Sequence, residues 1–149
     1  AGGNGADGAR ATPPPPALTH LDLGGLARIS DEALLKLAAR APHLVSLDLR
    51  GCGMGVEGFR AVGEALKVNT KLEVLDVGHN AFHYRGSTFL AGALETNKHL
   101  KVLNIGFNRI GDGGARKIAH ALRKNRALHT LRLKLRNCHS HRHRRLHYY

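Results

Sequence analysis

The chain has 149 residues, with 23 Lys and Arg against 11 Asp and Glu, two cysteines and no Trp. That length suits one domain able to bury a core, which Leu, Val, Ile and Ala must fill. Two cysteines cannot build a disulfide framework, and neither an N-x-Ser/Thr sequon, a signal peptide nor an 18-residue apolar run occurs. The expectation is a soluble, cytoplasmic protein with no membrane partner.

The charge is uneven. The last acidic residue is Asp112, and residues 113–149 hold eleven of the 23 basic ones. A nearly neutral body therefore carries a strongly basic end.

In chain order, residues 1–17 form an Ala/Gly/Pro-rich segment that opens AGGNG without a methionine, so the true N-terminus is expected upstream or processed away. ARATPPPPA reads as a stiff, extended linker. Gly3, Gly5 and Gly8 have G-x-G-x-x-G spacing. They lack the strand before and the helix after that a dinucleotide site needs.

From Leu18 the chain repeats itself. LTHLDLGGL (18–26), LVSLDLRGC (44–52), LEVLDVGHN (72–80), LKVLNIGFN (100–108) and LHTLRLKLR (128–136) align, their first leucines 26, 28, 28 and 28 residues apart. A fixed period of this length marks a repeat architecture. Within each unit the alternating apolar residues predict a short strand with one face inward. Cys52, Asn80 and Asn108 share one position after the strand, where stacked small polar groups can satisfy backbone buried between units.

The period then changes from 2 to about 3.6, which predicts a helix. In GVEGFRAVGEALK the apolar positions are Phe59, Val62, Ala65 and Leu66, and in DGGARKIAHALRK they are Ala115, Ile118, Ala121 and Leu122. Ser30 is placed to cap DEALLKLAAR, with Asp31 and Glu32 in its first turn and Pro42 ending it. Asn69, Asn97 and Asn125 recur where helices should stop, a position at which Asn is favoured for its tolerance of left-handed backbone. No unit can bury its apolar face alone, so neighbours must stack. The fold class expected is α/β: a solenoid of four to five repeats over residues 18–135, with parallel strands on a concave face and helices on the convex back.

LxxLxLxxN followed by a helix at a 28-residue period resembles the leucine-rich repeat of the ribonuclease-inhibitor type, most closely in HLKVLNIGFNRIGDGGARKIAHALRKN. The first unit, ISDEALLKLAARAPHLVSLDLRGC, is nearer the cysteine-containing repeats of F-box-type proteins. The resemblance implies protein binding and, less specifically, complexes of the axonemal, ubiquitin-ligase or immune-receptor kind. It also implies capping elements, which neither the proline segment nor HSHRHRRLHYY supplies. The expectation is that further chain or a partner covers the ends. The fifth unit departs from the pattern, with Asn137 one residue late and no helix after it.

On the concave face, residues four after each leading leucine are Asp22, Asp48, Asp76, Asn104 and Arg132. Arg50 and Lys134 lie six after, among Gly24, Gly78 and Gly106, and Val74 and Val102 lie two after. These are the candidate partner-binding residues. Three stacked aspartates repel one another unless solvated or facing a cation, which a basic partner segment would supply. Solvation alone is the competing explanation. Cys52 at a ladder position reads as buried and structural, and His79 and His83 as surface residues.

Residues 136–149 form a His/Arg-rich tail. Cys138 and its histidines lack a paired ligand motif, so no metal is assigned. Arg136, Arg142, Arg144 and Arg145 could meet RNA phosphates, with Tyr148 and Tyr149 stacking on bases. The primary reading is a non-enzymatic protein-interaction subunit of a larger intracellular assembly, with no cofactor and no small-molecule substrate. The alternative is a ribonucleoprotein component. A GTPase activator of the Ran-activating type is implied only by resemblance, and no ladder asparagine stands out as catalytic.

Overall fold

A computed structural model describes residues 17–26, 29–40 and 43–134. Five strands alternate with four helices: β1 (His20–Asp22), α1 (Asp31–Arg40), β2 (Ser46–Asp48), α2 (Val56–Val68), β3 (Val74–Asp76), α3 (Tyr84–Thr96), β4 (Val102–Asn104), α4 (Gly111–Leu122) and β5 (Thr130–Arg132). The strands form one parallel sheet in sequence order. Because each turn-and-helix return has nearly constant length, every strand meets the next at the same phase. Leu21, Leu47, Leu75, Leu103 and Leu131 accordingly stand opposite one another across the sheet.

Strands pack about 4.8 Å apart and helices about 8–10 Å apart. A stack with one strand and one helix per rung is therefore shorter on its sheet side, which makes that side concave. The core lies between the layers. Leu49, Phe59, Leu75, Phe82, Leu90, Leu100, Leu103 and Ile105 are among its fully buried side chains. Phe59 and Phe82 stack with ring centroids 4.0 Å apart, joining the second rung to the third. Gly86 makes room for that pair, since a Cβ there would come within 2.5 Å of Phe82 Cδ2.

Ser30 caps α1 as capping chemistry predicts, whereas the asparagines after α2 and α3 act differently. Ser30 Oγ accepts from the Ala33 N–H at 3.2 Å, ahead of Asp31 and Glu32. Asn69 and Asn97 follow the ends of α2 and α3, but with extended backbone at φ −75° and −68°, so left-handed tolerance is not why Asn stands there. Its side chain is what matters. Asn97 Nδ2 donates to Leu66 O at 2.7 Å, one rung back, while Oδ1 accepts from the N–H groups of His99 and Leu100 at 2.9 and 2.8 Å. Asn125 repeats this with Leu94 O at 2.7 Å and the N–H groups of Ala127 and Leu128. Asn97 and Asn125 each close their own turn and tie it to the preceding helix end, and Asn69 closes its turn through the N–H groups of Lys71 and Leu72, so backbone groups that would otherwise be buried find partners.

The first repeat departs from the sequence expectation. Leu18, the leading leucine there, is 56 % exposed, whereas Leu72 and Leu100 are buried. Among the described residues no rung precedes β1, so its apolar edge meets no neighbour.

Candidate functional site

The helix-free side of the sheet carries three outward columns. His20, Ser46, Val74, Val102 and Thr130 form the first, and Asp22, Asp48, Asp76, Asn104 and Arg132 the second, in direct strand register. The third, just past the strand ends, is Gly24, Arg50, Gly78, Gly106 and Lys134. Val74 is 37 % exposed, an apolar side chain open to solvent in the middle of the face.

The acidic column is built from turns. Asp22 Oδ1 accepts from the Gly24 N–H, Asp48 Oδ1 from Arg50 N–H and Asp76 Oδ1 from Gly78 N–H, each at 2.8 Å, and Asn104 Oδ1 accepts from Gly106 N–H at 3.0 Å. One oxygen of each side chain thus holds the chain as it leaves the strand. At the second and third rungs the other carboxylate oxygen has a partner as well. Asp48 Oδ2 accepts from Arg50 Nη2 at 3.3 Å, and Asp76 Oδ2 from Asn104 Nδ2 at 2.8 Å. The repulsion foreseen among three aspartates is therefore answered internally at the second and third rungs. The column's two ends stand without a counter-charge, since among the described residues Asp22 meets no cation and Arg132 no carboxylate, while Asp76 meets only the neutral Asn104 amide.

Behind this face runs the ladder of Cys52, Asn80 and Asn108, all buried. Asn80 Nδ2 donates to Leu49 O of the previous rung at 2.9 Å and to Val77 O at 3.0 Å, and its Oδ1 accepts from Met54 N–H at 3.1 Å. Asn108 Nδ2 repeats the pattern on Val77 O and Ile105 O, both at 3.0 Å. Cys52 donates its thiol to Leu23 O at 3.0 Å. Burial, and then the nearby Asp48 carboxylate, push that thiol's pKa up, so Cys52 stays a protonated donor rather than a nucleophile.

Sequence reasoning passed over the position after the third column. Gly25, Gly51, His79 and Phe107 all have left-handed backbone, with φ of 78°, 67°, 54° and 59°. Glycine adopts this freely, whereas a side chain there costs about 1–2 kcal/mol. His79 and Phe107 stack with centroids 4.1 Å apart, and Lys134 Nζ lies 4.9 Å from the Phe107 ring centroid. The signal was present in the aligned repeats: His-Asn and Phe-Asn stand where the first two units have Gly-Leu and Gly-Cys.

The family described as Leucine Rich repeat matches residues 40–63, 68–91 and 96–119. These spans are leucine-rich repeats. Each begins near the end of one helix, crosses a strand and enters the next helix, so the matches follow the rungs of the sheet. Two solved structures share the repeat architecture. One, "Leiomodin-1 Actin-Binding Site 2 (ABS2)", is 20 % identical with a TM-score of 0.70, covering 78 % of this chain and 70 % of that one. The other, a tropomodulin C-terminal domain from Caenorhabditis elegans, is 16 % identical with a TM-score of 0.70, covering 81 % and 76 %. No curated protein sequence matches the chain. At these identities the likeness shows the leucine-rich-repeat solenoid and nothing finer.

The candidate nucleic-acid contacts Arg136, Arg142, Arg144 and Arg145, and the displaced Asn137, lie outside the described residues.

Proposed function

We propose that the chain is a non-enzymatic protein-interaction module that captures a partner on the concave face of its repeats, as part of a larger intracellular assembly. The observation that carries this is the face itself: outward columns in register, covered by no described helix, with Asp22 at one end and Arg132 at the other, neither meeting an opposite charge among the described residues. A surface ordered so regularly from below, yet left open above, suits recognition of a protein surface of opposite polarity. One structural neighbour is named for an actin-binding site, which makes actin the first partner to test.

Co-sedimentation with filamentous actin and pull-down from extract, each with wild type and with an Asp22→Lys, Arg132→Glu double variant, test the reading. Capture lost in the double variant, with the folded state retained by circular dichroism, is the expected result. Capture indifferent to both ends of the column would reject the concave face. Binding of homopolymeric RNA that falls steeply with salt would move the assignment to a ribonucleoprotein role for the basic end.

A further inference from the structure

We infer that the third and fourth rungs hold the anchoring spot of this face, and that it takes a protein segment presenting an acidic side chain beside an aromatic or branched aliphatic one. This rests on the concave face being the partner-binding surface.

The first two rungs close their left-handed turns with Gly25 and Gly51, so the fold needs no side chain at that position. The next two rungs place His79 and Phe107 there in spite of the backbone strain. Strain kept at an exposed position points to use rather than to packing. His79 is exposed and Phe107 half-buried. Their stack has Lys134 against the Phe107 end. Its other end faces the second rung, where a Cβ built on Gly51 would have only Gly25 backbone near it, at 3.9 Å. A partner's planar ring fits over Gly51 as the next layer on His79.

The neighbouring columns supply the rest. Exposed Val74 and half-buried Val102 give an apolar patch at the centre of the face. Between that patch and the aromatic pair lie Gly78 and Gly106, both buried, where a Cβ would meet Asp76 Oδ1 at 3.1 Å and Asn104 Oδ1 at 3.2 Å, so neither position adds a side chain that would separate the patch from the rings. Arg132 and Lys134 stand on the next rung, and neither faces a carboxylate among the described residues. An apolar centre, an aromatic wall and two cations on one side match an acidic group next to an apolar anchor, the composition of an interface hot spot.

Arginine, lysine and stacked rings also suit nucleic acid. The same face argues otherwise, because a phosphate backbone following the sheet would run onto Asp48 and Asp22. A peptide with one well-placed acid does not meet that repulsion.

The test pans a random phage-displayed peptide library on the full chain, then measures the enriched synthetic peptides by titration calorimetry. Expected are sequences with Asp or Glu beside Phe, Tyr, Trp, Leu or Ile. Their affinity should fall at least tenfold in the His79→Gly, Phe107→Gly double variant and in Arg132→Glu, while thermal unfolding of the glycine variant stays near wild type. A glycine variant that loses binding together with its fold would overturn the inference, because the rings would then be structural. Basic peptides that depend on Asp22 and Asp48 would overturn it while leaving the concave-face reading in place. Peptides indifferent to all these substitutions, or no enrichment, would remove both. Tighter binding of poly(U) than of any peptide, lost in the same variants, would replace the protein segment with nucleic acid.

Discussion

Asn104 donates its side-chain amide to Asp76 Oδ2 at 2.8 Å, so the acidic column passes into its neutral section through a hydrogen bond between adjacent strands. Both side chains also cap their own turns, Asp76 to Gly78 N–H and Asn104 to Gly106 N–H. The same position serves the turn and the surface, and the two roles separate by chemistry. The cap needs a side-chain oxygen; the charge needs a carboxylate.

Asp76→Asn keeps the capping oxygen but puts an amide donor where Oδ2 accepted from Asn104 Nδ2, so it should cost about 1 kcal/mol. Asp76→Ala loses that acceptor and the cap together and should cost about 2–3 kcal/mol. Urea denaturation of the pair checks this. Equal losses would mean that the turn bond contributes nothing.

Asn97→Ala removes donors to Leu66 O and Asn69 O and the acceptor for two backbone N–H groups. Leaving such groups buried and unpaired should cost about 2–4 kcal/mol. Exposed Lys98 is the control site, and its change to Ala should stay within about 0.5 kcal/mol.

Leu103 is fully buried with rungs on both sides, and Leu103→Ala should cost about 2–5 kcal/mol. Leu21 is only half-buried in the edge strand. Leu21→Ala should cost less, because in a linear stack an end rung is held from one side. Thermal unfolding that ranks them the other way would contradict the repeat frame.

At His79, with φ 54°, glycine relieves the backbone and valine worsens it. His79→Gly should lie within about 1 kcal/mol of wild type, the strain released offsetting the added freedom of the unfolded chain. His79→Val should be less stable than His79→Gly by at least about 1 kcal/mol. Chemical denaturation of the two variants side by side gives the answer.

Burial raises the Cys52 pKa in the folded chain above its unfolded value, so the folded state holds its thiol proton longer. Its contribution to stability is complete below the ordinary thiol pKa of about 8.5 and is lost as pH rises from there through the folded value. Wild type should therefore lose stability from about pH 8.5 upward more steeply than Cys52→Ser. Peptide mapping should also find Cys52 unalkylated at pH 8 until denaturant is added. Prompt labelling of the folded chain would show the thiol to be exposed.

Much of the site's geometry could be read from spacing. Leading leucines 28 residues apart place Val74 beside Val102 and Asp76 beside Asn104, and the strands pair in that register. The Asp-x-Gly and Asn-x-Gly triplets at 22–24, 76–78 and 104–106 carry a turn signal as well. The helix-end asparagines were found at the right positions for the wrong reason. Their value lies in a carbonyl 31 residues earlier, which no local rule about backbone preference contains.

By itself the sequence determined the rung: its length, its strand, its helix, and the columns that identical spacing must produce. Only the tertiary structure decided which charges are already answered, that the fourth turn places a phenylalanine where the first has glycine without breaking the stack, and that the first leucine lies exposed at an edge. The division follows from range. Periodicity is a local property that every copy states again, whereas hydrogen-bond satisfaction, ring stacking and burial depend on which copy stands next to which.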